Sequence, residues 1–269
     1  MISEAVLRTE KGEQMILAID VGNSHVVLGS MEDGKILNVI RLKTDPKDTW
    51  AEYAIKIDQL FGIFGFDQSS LEGAVIASVV PPVTQAITEA IDKITGKESL
   101  VVGPGIKTGL NLRIDDPSTV GADLVVGGVA AIKYYGMPCI VLDMGTATTI
   151  TVIDGSRSFI GGAILPGVDL SYSALASGTS LLPAISITAP EKVISTNTVD
   201  CMRSGAVFGT ASMIDGMIER IEDELGEHCC VVATGGLSRY IVPCCRHEVI
   251  LDDELLLKGL WAIWEKNAK

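Results

Sequence analysis

The sequence predicts an α/β protein of two duplicated lobes, each a mixed sheet flanked by helices, with a cleft between them. Three observations carry this. Two strand-turn-strand segments resemble each other, strand and helix patterns alternate between and after them, and the second copy begins near the middle of the 269 residues. The organisation expected is a polar extension over 1–14, a first lobe over 15–128 and a second over 129–269.

The first copy reads Ile16-Leu17-Ala18-Ile19-Asp20-Val21-Gly22-Asn23-Ser24 and the second Ile140-Val141-Leu142-Asp143-Met144-Gly145-Thr146-Ala147-Thr148. Each is an apolar strand, Asp-x-Gly, and small polar residues. An apolar, β-branched run then resumes, Val26-Val27-Leu28 or Ile150-Thr151-Val152-Ile153, and ends at Asp33-Gly34 or Asp154-Gly155, the composition of a hairpin turn. Between the copies, Ala54, Ile55, Ile57, Leu60 and Phe61 mark one face of a helix over 49–64. A valine-rich strand over 74–80 stops at Pro81-Pro82, which open a helix to about 94, and a strand begins at 99. After the second hairpin the pattern predicts a helix over 204–225, a strand over 230–233 and a closing helix over 253–266.

Composition narrows the class. At 47% hydrophobic and 20% charged residues the chain can bury a large core. Apolar runs are broken by Asp20, Asp143 or glycines before reaching the ~20 residues that span a bilayer. Residues 1–14 lack the apolar centre of a secretory signal, so a cytoplasmic protein without a membrane segment is expected. The net charge of -13 opposes binding to nucleic acid or an anionic membrane and favours a small-molecule substrate. Cys139, Cys201 and the pairs Cys229-Cys230 and Cys244-Cys245 read as reduced, buried thiols. His228 and His247 flank the pairs, but the spacing matches no C-x2-C zinc site, and adjacent strand residues face opposite ways.

The Asp-x-Gly turns carry the chemistry. Glycine lets backbone approach a phosphate, the following Asn, Ser or Thr supplies donors, and the aspartate supplies charge for a metal such as Mg2+. One such tripeptide is a weak signal; two in register, each followed by a strand, point more strongly to a metal-bound nucleotide.

These two turns resemble the phosphate motifs of the type III pantothenate kinases. Further likenesses are Ser78-Val79-Val80-Pro81-Pro82, Asp116-Pro117 leading to Gly121-Ala122-Asp123, Gly161-Gly162-Ala163-Ile164-Leu165-Pro166-Gly167, Ser204-Gly205, Ala233-Thr234-Gly235-Gly236 and Leu255-Leu256-Leu257-Lys258-Gly259-Leu260, so the resemblance runs from about Met15 to the C-terminus. It implies an actin-like (ribonuclease H-like) fold. It also implies ATP-dependent phosphorylation of pantothenate, the first step of coenzyme A synthesis, by a homodimer activated by a monovalent cation. By the same resemblance Asp20, Val21, Gly22, Asn23, Ser24, His25, Val26 and Val27 hold the ATP phosphates, and Thr146 contacts ATP. Asp143 binds K+ or NH4+, Asp123 is the catalytic base, and Thr198 reaches substrate from the partner subunit.

The substrate motif Gly121, Ala122, Asp123 continues with Leu124 where the family carries arginine, and Ile114 stands where the family carries tyrosine. Arg113 is the neighbouring base. Both departures fall on the acceptor side, so three functions stay open: a pantothenate kinase, a kinase for another small hydroxylated acceptor, or a nucleotide-binding protein without turnover. Residue by residue, Asp123 also suits the N-cap of a helix starting near Leu124, and Gly235-Gly236 suits either a tight turn or an adenosine site.

Overall fold

The computed structural model describes residues 15–64 and 68–268; the expected polar extension lies outside the described residues. The chain divides into two compact units, one ending at Gly103 and the other beginning at Pro104.

The first unit contains β1 (Met15–Val21), β2 (His25–Glu32), β3 (Lys35–Lys43), α1 (Trp50–Phe64), β4 (Leu71–Ser78), α2 (Pro81–Thr95) and β5 (Ser99–Val101). Its sheet runs β3-β2-β1-β4-β5, with β1, β2 and β3 antiparallel and β4 and β5 parallel to β1. The central strand β1 is covered on both faces, which explains its unbroken apolar run, while the edge strand β3 alternates between exposed and half-buried positions. Asp33 and Gly34 both have positive φ, 46° and 81°, the two-residue turn that matches strand twist. Helix α1 starts at a reciprocal cap: Glu52 N donates to Thr49 Oγ1, and Glu52 Oε2 accepts from Thr49 N at 2.7 Å. Its Tyr53, Ile57 and Phe61, one helical turn apart, join Val83, Ile87 and Ile91 of α2 in the core.

The second unit contains β6 (Asn111–Leu112), α3 (Ala122–Tyr134), β7 (Cys139–Met144), β8 (Ala147–Ile153), β9 (Ser158–Pro166), α4 (Val168–Ser177), α5 (Thr198–Ser204), α6 (Thr210–Leu225), β10 (Cys230–Thr234), α7 (Ser238–Ile241), β11 (Ile250–Leu251) and α8 (Leu255–Asn267). Its sheet runs β11-β10-β7-β8-β9-β6. In the order in which the copy lays down its own strands, β9-β8-β7-β10-β11 repeats β3-β2-β1-β4-β5, with β6 added outside β9. Ile140, Leu142 and Met144 face α6 through Ala211, Ile214 and Ile218, so Val141 and Asp143 face the other way, towards α3. A Cβ on Gly127 of α3 would meet Val141 Cγ1 at 3.5 Å, which fixes that face.

The division between units falls earlier than the 128/129 boundary expected from the sequence. Helix α3 packs on α8 and over β7, and β6 pairs with β9, so both belong to the second unit. Two local expectations are also corrected. The helix expected from Ser204 begins at Thr198, because Asn197 Oδ1 caps it by accepting from Asp200 N at 2.9 Å, and it passes through a wider π turn at Gly205–Gly209. Asp154-Gly155 is not a two-residue hairpin turn. The Asp154 carboxylate accepts from Ser156 N and Ser158 N at 2.8 and 3.0 Å, drawing out a longer loop in which Arg157 takes the positive φ of 65°.

Gly259 lies where α8 crosses α3, and a Cβ there would overlap the Val126 carbonyl oxygen. Gly259→Ala is expected to destabilise the protein by ~1–3 kcal/mol through overpacking, measured by urea unfolding against the parent. An unchanged midpoint would show that the helix crossing can open without cost.

Candidate active site

In the first unit the Asp-x-Gly turn joins β1 to β2. Asp20 is the penultimate residue of β1 and half-buried; Val21 and Val26 are buried and pair with each other across the turn. Val27, half-buried, pairs with Asp20. Between them Gly22, Asn23 and Ser24 form the loop, with Asn23, Ser24 and His25 exposed. Gly22 N donates to His25 O at 3.0 Å, and a side chain at Gly22 would press on that same oxygen at 3.3 Å. The buried Thr44 grips the turn from β3. Its Oγ1 donates to Gly22 O at 2.7 Å and its N to Ser24 O at 3.0 Å. Sequence reasoning missed Thr44; only the β2/β3 register, which pairs His25 with Lys43, places the residue after β3 beside the turn.

In the second unit the turn joins β7 to β8. It is one residue shorter, with Gly145 and Thr146 alone between the strands and Met144 paired with Thr148. Gly145 N donates to Ala147 O at 3.0 Å, and Gly167, at the start of α4, donates its N to Thr146 O at 3.1 Å. Gly235, after β10, lies against Met144: a Cβ there would sit 2.6 Å from three backbone atoms of Met144, and its φ of 95° already excludes most side chains. Ser238, fully buried, donates from both N and Oγ to Gly235 O, at 3.2 and 2.5 Å. Gly235 therefore supports the second Asp-x-Gly turn directly, whereas a side chain at Gly236 would meet open space.

The same unit brings Asp123 and Asp143 together. Asp143 lies next to the end of β7, between Thr149 on β8 and Thr234 on β10. Asp123 lies in the first turn of α3, and its Oδ1 accepts from Leu124 N at 2.8 Å. Burial, and then the charge of Asp123, push the Asp143 carboxyl up to about 6. Burial likewise raises Asp123, against two backbone hydrogen bonds that pull the other way. Among the described residues neither carboxylate pairs with a Lys or Arg. Two hard oxygen donors held near each other without a base fit a small cation.

The helix cap at this site is Gly121, with Ala122 as the first helical residue, so Asp123 is not the N-cap that its sequence position allows. Leu124 is half-buried beside it. Ile114 is half-buried in the segment between β6 and α3, ahead of a short turn capped by Asp116. Arg113 pairs with Asp154 at 3.6 Å, at the far end of β8 from the turn, and does not stand in for the missing arginine. Thr146 is exposed on its turn. Thr198 is exposed at the start of α5, and among the described residues no hydrogen bond joins it to the carboxylate pair.

The two histidines near the cysteines meet carboxylates, His228 Nδ1 with Glu222 at 3.0 Å and His247 Nδ1 with Asp215 at 3.2 Å. Among the described residues no group of three or more His, Cys, Asp or Glu is placed to hold a metal. Burial pushes the thiols of Cys139 and Cys245 up to about 12 and that of Cys229 up to about 11, as packed side chains rather than reactive ones.

The family model for type III pantothenate kinase matches residues 16–220. The chain belongs to the type III pantothenate kinase family. It is 42% identical over 253 residues to a type III pantothenate kinase of Halalkalibacterium halodurans, covering 94% of this chain and 100% of that one. Against the enzyme of the same name from Bacillus cytotoxicus the figures are 41% over 254 residues, 94% and 97%. Similar solved structures show the fold alone. A Baf family transcriptional activator from Campylobacter jejuni has a TM-score of 0.54 at 20% identity, covering 93% of this chain and 98% of its own. An inorganic polyphosphate/ATP-glucomannokinase from Arthrobacter has 0.51 at 14%, covering 94% and 100%. The type III pantothenate kinase family is one of ATP-using phosphotransferases. Among the described residues no helix is long and apolar enough to cross a membrane.

Raising a folded-state carboxyl above its ordinary value of 3.8 makes the folded protein bind that proton more tightly. The stabilisation is complete below that value and is lost as pH rises through about 6. Asp143→Asn is therefore expected to flatten the stability of the cation-free protein between pH 4 and 6.5, and to raise it near pH 7 by up to about 3 kcal/mol. Thermal unfolding across that range checks it; a variant with the parental pH dependence would contradict the assignment.

Proposed function

We propose that this chain transfers the γ-phosphoryl group of ATP to the hydroxyl of pantothenate, forming 4′-phosphopantothenate, with Asp123 as the general base. The observation that carries the reading is the carboxylate pair. Asp143 and Asp123 are partly buried beside each other, among the described residues no Lys or Arg is paired to either, and burial raises the proton affinity of both. A base whose carboxyl lies above the ordinary range takes the hydroxyl proton as the oxygen attacks phosphorus, and the first turn of α3 holds it in place.

Asp20 to Val27 cradle the ATP phosphates: Gly22 permits close backbone approach, Asn23, Ser24 and His25 are exposed donors, and the buried Val21 and Val26 anchor the loop. Thr146 contacts the nucleotide from the second turn. Asp143 binds a monovalent cation, K+ or NH4+, whose charge offsets the cost of burying that carboxylate. ATP bound with Mg2+ supplies the phosphoryl group and much of the neutralising charge that its transfer needs.

Gly121, Ala122, Leu124 and Ile114 border the acceptor. Thr198 serves the acceptor of a second copy in a homodimer. The exposed Leu170, Leu175, Leu181 and Ile194 support such a dimer, since apolar side chains of this size are normally covered. The cytoplasm suits a chain whose cysteines are all free among the described residues.

Asp123→Asn is expected to lower kcat by ~10²- to 10⁴-fold while leaving ATP affinity within a few fold. ADP release with pantothenate and calorimetric titration of ATP measure the two; an Asn variant working at the parental rate would falsify the base assignment. Replacing K+ by Na+ is expected to lower turnover in the parent, and equal rates in the two salts would remove the monovalent cation from the scheme.

A further inference from the structure

The row of side chains around Asp143 holds two more oxygens. Asp143 pairs with Thr149 across the antiparallel β7/β8 register and with Thr234 across the parallel β7/β10 register, and partners in register present their side chains to one face of a sheet. Thr149, Asp143 and Thr234 therefore stand side by side on the α3 face. Thr234 is only 3% exposed, yet among the described residues its hydroxyl makes no hydrogen bond. The hydroxyl of the half-buried Thr149 is likewise unbonded there. Burying a hydroxyl without a partner is unfavourable, so two such groups on either side of a carboxylate point to a ligand that they share with it.

We infer that the hydroxyls of Thr234 and Thr149 complete the monovalent-cation site of Asp143, and that Thr234 favours K+ or NH4+ over Na+. The inference deepens the cation role given to Asp143 above and rests on it. Among the described residues no third acid, histidine or cysteine joins Asp143 and Asp123 in a metal-binding group, so further protein donors must be neutral oxygens, and a threonine hydroxyl offers two lone pairs. Spacing selects the ion. Three donors on adjacent strands, roughly 4.8 Å apart at the backbone, are spread too widely for the short, octahedral shell of Mg2+ and suit a larger ion with longer bonds.

The test follows thermal unfolding of the full chain as K+ or Na+ replaces choline at constant ionic strength, with and without a non-hydrolysable Mg-ATP analogue; the larger response is scored. Each variant is read against its own cation-free midpoint, so a general loss of stability drops out. K+ is expected to stabilise the parent more than Na+. Thr234→Val, which keeps the shape and removes the oxygen, is expected to raise the K+ concentration for half the response by roughly 10-fold and to narrow the preference over Na+. Thr149→Val is expected to weaken the response in the same direction, and Thr234→Ser to restore it. Thr148→Val is the control: Thr148 is buried on the opposite face, paired with Met144, and its loss is expected to leave the K+ response unchanged. A parental K+ response in Thr234→Val overturns the inference and leaves the cation role of Asp143 intact. A parent that does not respond to K+ overturns both, while ADP release with pantothenate tests the kinase reading separately.

Discussion

The second Asp-x-Gly turn is held by backbone packed on backbone, and the rest of the site depends on that contact. Gly235 lies against Met144, and Gly167 donates to Thr146 O, where an added Cβ would overlap the carbonyl oxygens of Gly145 and Thr146. Neither approach leaves room for a side chain. Ser238 in turn holds Gly235 O from a fully buried position, which restrains the end of β7 through Gly235. Asp143 projects from that end, so the direction of its carboxylate is set by contacts that involve no charge.

Given a fixed Asp143, the position of Asp123 follows from helix packing. The α3–α8 crossing is close because Gly259 faces the Val126 carbonyl, and the apolar run Val125–Ala131 is buried beneath it. The helix therefore delivers its first turn beside the end of β7. Burial and the charge of Asp123 raise the proton affinity of Asp143, and among the described residues no Lys or Arg pairs with either acid. Such an arrangement is unfavourable for stability at neutral pH.

The duplication is complete in topology and incomplete in detail. Both sheets share one strand order, yet the first turn has three loop residues and the second two. The first is tied from its own sheet by Thr44, and the second from neighbouring segments by glycine contacts. Equivalent tripeptides, each with a half-buried acid, are thus held by different means.

What the sequence determined by itself was whatever depends on local pattern. The paired Asp-x-Gly turns, the apolar period of α1, the prolines opening α2 and the α/β class were all legible, because strand, helix and turn propensities act over a few residues. The tertiary structure alone decided which unit owns α3, that Asp154 draws out a loop where Asp-Gly suggested a tight turn, and that Thr44 clamps the first turn. It also decided that Asp123 lies inside the helix rather than capping it, and that it stands next to Asp143. These outcomes turn on register and on contacts between residues far apart in the chain, where one backbone's approach to another is set by volume and geometry that no local window contains.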